Sequence, residues 1–275
     1  AVIAADYLGK GPYRKNRPEA YAVKDTSVQT CLDVLDAGLS CLQQLGHRTS
    51  SLYLNGWSQG SLNTQWLHQE LRRRGRAIAA TALQSPFNDL NEALRFWSGA
   101  ETYPSTSTTP YPSMPTWVSL CMIITLGSYE HRYGLHGLLR SAIRPQFHNV
   151  ALKFWNDYQM DFDMSKPFPS GSTLLVDGFF DTYTHDLNSK FLRQLAENRA
   201  TYWSYDAPTR FYYGLADEAI HPNLVKRPLS AGGKFVTGVP VKGASHRATF
   251  LASLYGEGAE IDGSQNVLTW FNTKN

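Results

Sequence analysis

The sequence predicts an α/β protein built on a mostly parallel β-sheet. Three observations support this fold class. Short β-forming runs alternate with amphipathic helical stretches over the first 85 residues, the same alternation returns after residue 200, and the segment between them is helical. Alternation of strands and helices is typical of parallel strands joined by right-handed crossovers.

The composition excludes several other classes of protein. Of the 275 residues, 42% are hydrophobic and 18% are charged, which suits a folded core and not a disordered chain. The net charge of +3 is too small for a nucleic-acid-binding surface. The longest nearly apolar stretch, residues 117–126, covers only about half a membrane span. We therefore expect no nucleic-acid partner and no transmembrane segment.

Each predicted element of the first 85 residues has a local signal. The strands are short runs of apolar or β-branched residues, and the helices have apolar residues at helical spacing. Asp25, Thr26 and Ser27 offer N-caps for the first helix, while Gly46 and Gly75 end the two helices. The predicted elements are a buried strand at residues 1–5, a helix at 25–45, a strand at 51–55, a helix at 59–74 and a strand at 78–83.

The middle of the chain breaks this alternation. Residues 102–116 are rich in Pro, Ser and Thr, which predicts a long exposed loop. Residues 117–156 and 185–198 have helical patterns rich in aromatic side chains. The predicted domains are a core made of residues 1–85 and 201–275 and a helical cap or lid inserted at residues 86–200.

The second half of the predicted core restores the strand and helix rhythm. Its predicted elements are strands at residues 210–214 and 234–241 and closing helices at 247–254 and 266–271. The two strands extend the parallel sheet started by the first half of the core.

A serine stands between a predicted strand and a predicted helix, in the pentapeptide Gly56-Trp57-Ser58-Gln59-Gly60. In a G-x-S-x-G turn the serine hydroxyl projects from the carboxyl edge of the sheet, where it can act as a nucleophile. Glycines at positions 56 and 60 remove Cβ atoms where strand and helix approach each other. We predict Ser58 as the nucleophile and Trp57 as a substrate-binding residue.

A serine nucleophile needs a base, and in this architecture an acid and then a histidine follow the serine along the chain. Of the eight histidines, His246 follows the last predicted strand and precedes a helix, a position from which a base can reach the serine. Asp217 follows the strand at residues 210–214 and is the first candidate for the acid. Asp177 and Glu218 remain alternatives.

Four segments together carry a resemblance to a known family: Asp6-Tyr7-Leu8-Gly9-Lys10-Gly11, the serine pentapeptide, Tyr213-Gly214-Leu215-Ala216-Asp217-Glu218 and Gly243-Ala244-Ser245-His246. They resemble the α/β-hydrolase superfamily, most closely its secreted lipases and carboxylesterases with a large helical cap. The resemblance implies that Ser58, Asp217 and His246 form a catalytic triad. It also implies an oxyanion-hole position for the amide of Gln59, and it favours export from the cell.

The resemblance further implies strands that this chain lacks. If residues 1–5 are the fourth strand of the superfamily, the first three strands precede residue 1, together with the loop that carries the second oxyanion donor. We therefore expect a separate N-terminal segment or chain as a partner that completes the fold.

These residues predict a serine hydrolase that cleaves a small-molecule or lipid ester through an acyl-enzyme. A serine peptidase, an acyltransferase and an inactive binding protein with a hydrolase fold are the alternatives. No metal is expected because the histidines lack a spacing such as H-E-x-x-H, and no cofactor because nucleotide-binding glycine motifs are absent. Seven cap aromatics fit an acyl pocket and cap packing equally well: Phe96, Trp97, Trp117, Phe154, Trp155, Phe179 and Phe180.

Overall fold

The computed structural model describes residues 1–10, 18–105, 110–157, 168–180, 186–261 and 265–274. The strands of this described part are β1 (Tyr53–Trp57), β2 (Ala80–Gln84), β3 (Thr209–Gly214) and β4 (Val236–Val241). Its helices are α1 (Lys24–Gln44), α2 (Gln59–Arg73), α3 (Leu90–Trp97), α4 (Val118–Tyr133), α5 (Leu138–Ala142), α6 (His148–Asp157), α7 (Gly171–Leu174), α8 (Asp186–Glu197), α9 (Asn223–Ala231), α10 (His246–Tyr255) and α11 (Val267–Asn272). None of these helices has the length and apolar character needed to cross a bilayer.

The four strands form one parallel sheet in the order β1-β2-β3-β4. The register pairs Gly56 with Leu83, Leu83 with Phe211, and Phe211 with Gly238. Because all strands run the same way, the chain leaves each of them at the same edge of the sheet. The loops that follow β1, β3 and β4 therefore lie side by side, and this edge is where open α/β sheets bind ligands.

Helices cover both faces of the sheet, as a buried parallel sheet requires. On one face, Ala82 of β2 packs in a cluster with Trp270 of α11. On the other face, Leu83 and Phe211 pack with Val225 of α9. Successive residues of a strand point to opposite faces, which explains why neighbours in β2 belong to different clusters.

Helices α3 to α8 lie between β2 and β3 in the sequence, within the segment predicted as a cap. They share one large apolar cluster with α2, whose Trp66 is fully buried. The described parts of the predicted Pro-rich loop, residues 102–105 and 110–116, contain no helix or strand, while residues 106–109 lie outside the described residues. The helical content predicted for this segment is thus observed, and its division from the core as a separate domain stays a prediction.

Residues 1–5 do not form the predicted buried strand. Val2 is 93% exposed, and the side chain of Ile3 packs beside Gly38 of α1. A strand needs a neighbouring strand for its hydrogen bonds, and among the described residues β1 is paired only on its β2 side. The prediction is wrong because an apolar run supplies side chains for burial but no partner for the backbone.

The first helix begins differently from the prediction. Its N-cap position is Val23, which makes no side-chain cap, and Asp25 lies inside the helix. The amide of Lys24 instead donates to the side-chain oxygen of Asn198 at 2.7 Å. A residue distant in the sequence therefore accepts the hydrogen bond of the first helical amide. Capping rules that consider only neighbouring residues do not predict this contact.

Candidate active site

The turn between β1 and α2 holds Ser58 in a strained backbone conformation. Its φ is 54° and its ψ is −121°, a positive φ that non-glycine residues seldom adopt. The amide of Ser58 donates to the carbonyl of Gln84 at 3.0 Å, which ties the turn to the end of β2. Such strain is typical of functional positions, and here it places the serine side chain at the carboxyl edge of the sheet.

The two glycines of the pentapeptide differ in how much space a Cβ atom would have. A Cβ on Gly56 would overlap the carbonyl oxygen of Gly60 and the hydroxyl of Thr64. A Cβ on Gly60 would stand 3.6 Å from the hydroxyl of Tyr7, an ordinary contact. Only Gly56 is required by the close approach of strand and helix, so the predicted clash at position 60 is wrong.

Replacing Gly56 by Ala should destabilise the protein, because backbone of the following helix fills the space that the methyl group needs. We expect the free energy of unfolding to fall by roughly 3 kcal/mol. Urea denaturation followed by tryptophan fluorescence measures this change. Gly60→Ala is the matched control, with an expected effect within about 1 kcal/mol. Equal losses in the two variants would contradict the steric argument.

Ser58, His246 and Asp217 are connected by hydrogen bonds. The hydroxyl oxygen of Ser58 lies 3.0 Å from Nε2 of His246. On the other side of the ring, Nδ1 lies 3.1 Å and 3.0 Å from the two carboxylate oxygens of Asp217. A carboxylate beside Nδ1 favours a proton on that nitrogen and leaves Nε2 free to accept one from the serine. The structure thus brings together the three residues predicted as a triad.

The Asp217 carboxylate is held in one orientation. The side chain is fully buried, three residues beyond the end of β3. Its Oδ1 accepts hydrogen bonds from the amides of Ala219 at 3.0 Å and Ile220 at 2.8 Å. Bonds from amides to a carboxylate are stronger than bonds between neutral groups, so the loop that carries the acid also aims it at the imidazole.

The alternative acids do not contact the imidazole. Asp177 follows α7 and is paired with Arg144 at 2.7 Å, with its side chain 91% exposed. Glu218 accepts a hydrogen bond from the backbone amide of His246 at 2.9 Å, not from its ring. Of the candidates for the acid, only Asp217 reaches Nδ1.

A second histidine, His68, also has a hydroxyl and a carboxylate partner, but it belongs to the packed interior. Nδ1 of His68 lies 2.9 Å from the Thr81 hydroxyl and Nε2 lies 3.0 Å from Asp206. His68 and Thr81 are fully buried, and neither lines the cavity at Ser58. A substrate could not reach this hydroxyl, so the arrangement is a packed hydrogen-bond network.

A cavity of about 800 Å³ opens at Ser58. Its wall combines the serine turn, the start of the chain, the segment predicted as a cap and the histidine loop: Ala5, Asp6, Tyr7, Lys10, Tyr21, Asn55, Gly56, Trp57, Ser58, Gln59, Gly60, Trp117, Glu218, His246 and Arg247. Charged and aromatic side chains share this wall, so it can contact both polar and apolar parts of a ligand.

Two indole rings flank the imidazole. The rings of Trp57 and Trp117 lie 5.1 Å and 5.6 Å from the ring of His246, between centroids. Trp57 also donates from Nε1 to the carbonyl oxygen of His246 at 3.3 Å. Trp57, predicted as a substrate-binding residue, therefore lines the cavity and also supports the histidine.

The other aromatic residues of the segment predicted as a cap are used for packing. Trp97, Phe154, Phe179 and Phe180 are buried in the large apolar cluster. Two more, Phe96 and Trp155, are partly buried against that cluster. Among the seven aromatic residues that the sequence left undecided, Trp117 is the one that lines the cavity.

Part of the cavity wall was not predicted from the sequence. Asp6, Tyr7 and Lys10 line the cavity, although their segment was noticed only as a family resemblance. The last glycine of that segment, Gly11, lies outside the described residues. Within the described residues, no group of three His, Cys, Asp or Glu side chains is arranged to hold a metal ion.

A third histidine near the acid loop is held neutral by its surroundings. His221 is buried, with its ring 5.0 Å from that of Tyr103 and 4.5 Å from that of Tyr111. Burial lowers the pKa of His221 to about 4. Burial also lowers the pKa of His68, and the carboxylate of Asp206 opposes this effect in part.

The stability of the protein should fall with acidification. A histidine whose pKa is lowered by folding binds its proton first in the unfolded chain, so the stability is complete above about pH 6.5 and is lost as the pH falls toward 4. Between pH 7 and pH 4.5, His221→Gln should lose about 2 kcal/mol less unfolding free energy than the wild type. Urea denaturation at the two pH values measures this, with the exposed His47→Gln as the control. The same loss in wild type and His221→Gln would refute the assignment.

Comparisons with known proteins identify the fold. No protein-family profile matches the sequence, and no curated protein sequence matches it. The rice cell wall degrading esterase LipA from Xanthomonas oryzae superposes with a TM-score of 0.70 at 19% identity, over 90% of this chain and 66% of that chain. A candidate hydrolase from Legionella pneumophila superposes with a TM-score of 0.71 at 16% identity, over 89% and 64%.

A more distant structure is also similar to this chain. Candida antarctica lipase A in its closed state has a TM-score of 0.57 at 12% identity, over 82% of this chain and 51% of that chain. The chain thus spans 66% of the LipA structure and about half of lipase A. At these identities the likeness concerns the fold, and it confirms the predicted fold class.

Proposed function

Starting from an α/β-hydrolase fold, we propose that this chain is a serine hydrolase that cleaves carboxylic esters. One observation carries the proposal: an unbroken series of hydrogen bonds from Ser58 through His246 to Asp217, beside a cavity large enough for a substrate. This is the arrangement that turns a weakly nucleophilic hydroxyl into an effective one. The esterases and lipases among the similar structures support the same class of reaction.

In the first half of the proposed reaction, the hydroxyl oxygen of Ser58 attacks the ester carbonyl carbon. Nε2 of His246 takes the serine proton as the C–O bond forms, and then gives it to the leaving alcohol oxygen as the tetrahedral intermediate collapses. In the second half, water loses a proton to Nε2 and attacks the acyl-enzyme. The acid is released and Ser58 recovers its proton.

Asp217 acts through the ring of His246. Its carboxylate keeps the proton on Nδ1 and stabilises the imidazolium that exists between the two proton transfers. The two amides that bind Oδ1 keep the carboxylate aimed while the ring changes its charge. The carboxylate of Asp217 is therefore held in place before the reaction begins and does not reorganise during it.

The negative oxygen of the tetrahedral intermediate needs hydrogen-bond donors. We assign one of them to the amide of Gln59, which begins α2, because a helix N-terminus favours negative charge. The sequence predicts the second donor outside this chain. Since residues 5–7 line the same cavity, their backbone amides are further candidates for that role.

The proposed substrate is a small-molecule or lipid ester. Purified protein should hydrolyse p-nitrophenyl esters of graded acyl length and should leave aminoacyl p-nitroanilides intact. A fluorophosphonate should add one label per chain, at Ser58, when intact mass and peptide mass are measured. Faster cleavage of the anilides would favour a peptidase. Absence of both hydrolysis and labelling would favour an inactive binding protein.

A further inference from the structure

Two consecutive carboxylates contact one residue. Asp217 accepts a hydrogen bond from Nδ1 of the His246 ring, while Oε2 of Glu218 accepts one from the backbone amide of the same histidine at 2.9 Å. His246 is therefore held by its ring and by its main chain, and both contacts come from a single loop. The triad explains only the first of these contacts.

The start of α10 explains why the second contact is needed. His246 is the first residue of that helix, and the first amides of a helix have no partner inside it. The Ser245 hydroxyl accepts from the amide of Ala248 at 3.2 Å, so the N-cap serves that amide. Glu218 serves the amide of His246, and its negative charge lies at the end of the helix where charge of that sign is favourable.

The loop that carries Glu218 is itself anchored. The amides of Ala219 and Ile220 bind the Asp217 carboxylate, and the Tyr111 hydroxyl donates to the backbone carbonyl of Asp217. Movement of Glu218 would disturb these bonds. The same rigid loop therefore positions both the backbone and the ring of His246.

We propose that Glu218 is a positioning residue for His246, which holds the histidine backbone and adds a negative charge that favours the imidazolium formed during the reaction. The proposal rests on the proposed function, because it needs a proton-accepting His246. Glu218 also lines the cavity at Ser58, so its charge faces the space where the reaction takes place. Removal of the charge and removal of the hydrogen bond should have separable effects.

Other titratable groups surround the same space. The cavity wall contributes Asp6, Tyr7, Lys10, Tyr21 and Arg247, the acid loop contributes Asp217, and the segment before α4 contributes Tyr111. All of these remain in place in a variant at position 218. A difference in kcat or in pH profile between two variants at position 218 therefore arises from the side chain at that position.

Glu218→Gln keeps a hydrogen-bond acceptor without the charge, and Glu218→Ala removes both. We expect Glu218→Ala to lower kcat by roughly 10- to 100-fold with KM changed little, because misplacement of a catalytic group costs rate more than binding. Glu218→Gln should recover most of kcat. The acid limb of its pH–rate profile should move to lower pH, because the proton-bearing imidazole ring has lost a neighbouring negative charge.

The pH dependence of the fluorophosphonate labelling rate at Ser58 gives a readout that does not require the natural substrate. Glu260→Gln is the matched control, since Glu260 is an exposed carboxylate paired with Lys242 at 3.5 Å and is not part of the cavity wall. This control should leave both rate and profile unchanged. Circular dichroism checks whether Glu218→Ala folds. If it does not, the shift of the pH profile in Glu218→Gln still tests the role of Glu218.

Three outcomes would overturn the proposal, and the first is distinguishable from the other two. A wild-type protein that the fluorophosphonate does not label at Ser58 would overturn the proposed function and this inference with it. A labelled wild type whose Glu218→Gln profile coincides with that of Glu260→Gln would overturn the role of Glu218 alone. Equal losses of kcat in Glu218→Gln and Glu218→Ala, with no shift of the pH–rate profile, would also overturn the role of Glu218 alone.

Discussion

Ser58→Ala should lower the rate of ester hydrolysis by about 10⁵- to 10⁶-fold, because the oxygen that attacks the carbonyl is gone while the rest of the site remains. The residual rate would come from donors and binding contacts that still stabilise the transition state without a covalent intermediate. Initial rates with a p-nitrophenyl ester measure the loss. The variant should also give no fluorophosphonate adduct at position 58.

Ser61 provides the matched control for this variant. Ser61 lies in α2, and its hydroxyl donates to the carbonyl oxygen of Ser58 at 2.6 Å. Ser61→Ala should therefore keep stoichiometric labelling at Ser58, since the nucleophile and its base are intact. If Ser58→Ala were still labelled at one site per chain, the nucleophile would be another residue.

Asp217→Asn should lower kcat by about 10⁴-fold, mainly through the wrong tautomer of His246. Oδ1 of Asp217 accepts from two backbone amides, so an asparagine would keep its oxygen there and turn its NH₂ group toward the imidazole. Nδ1 would then have to accept a hydrogen bond, which moves the ring proton to Nε2. A protonated Nε2 cannot take the proton of Ser58.

Single-turnover kinetics would locate this loss in the acylation step. Asp177→Asn is the control, because Asp177 was the alternative acid in the sequence and is an exposed partner of Arg144 in the structure. It should leave kcat unchanged. A large loss in Asp177→Asn with normal rates in Asp217→Asn would reverse the assignment of the acid.

Much of the fold could be predicted because the local signals were strong. The helix predicted at residues 59–74 is α2, Gln59–Arg73, and the strand predicted at 210–214 is β3, Thr209–Gly214. Apolar spacing and terminal glycines are local properties that survive folding, so they locate elements within a few residues. The strands predicted at 51–55 and 78–83 begin two residues later in the structure, at Tyr53 and Ala80.

Two of the wrong predictions, the strand at residues 1–5 and the cap of α1, share one cause, which is that the deciding partner is distant in the sequence. Residues 1–5 have the apolar composition of a strand but no neighbouring strand among the described residues. Lys24 starts α1 because Asn198 accepts its amide, not because of a cap in the adjacent sequence. Local patterns report propensity, and pairing and burial override it.

Local pattern, together with the rule that parallel strands end at one edge, was enough to predict the class of fold, the serine turn and the chain order in which Ser58, Asp217 and His246 follow their strands. The folded chain alone shows which acid reaches Nδ1, that Trp117 lines the cavity, and that Glu218 holds the backbone of His246. These contacts are hydrogen bonds and packing contacts, and hydrogen bonds act over about 3 Å. Ser58 and His246, 188 positions apart in the chain, therefore meet at that range only after the sheet and its loops have formed.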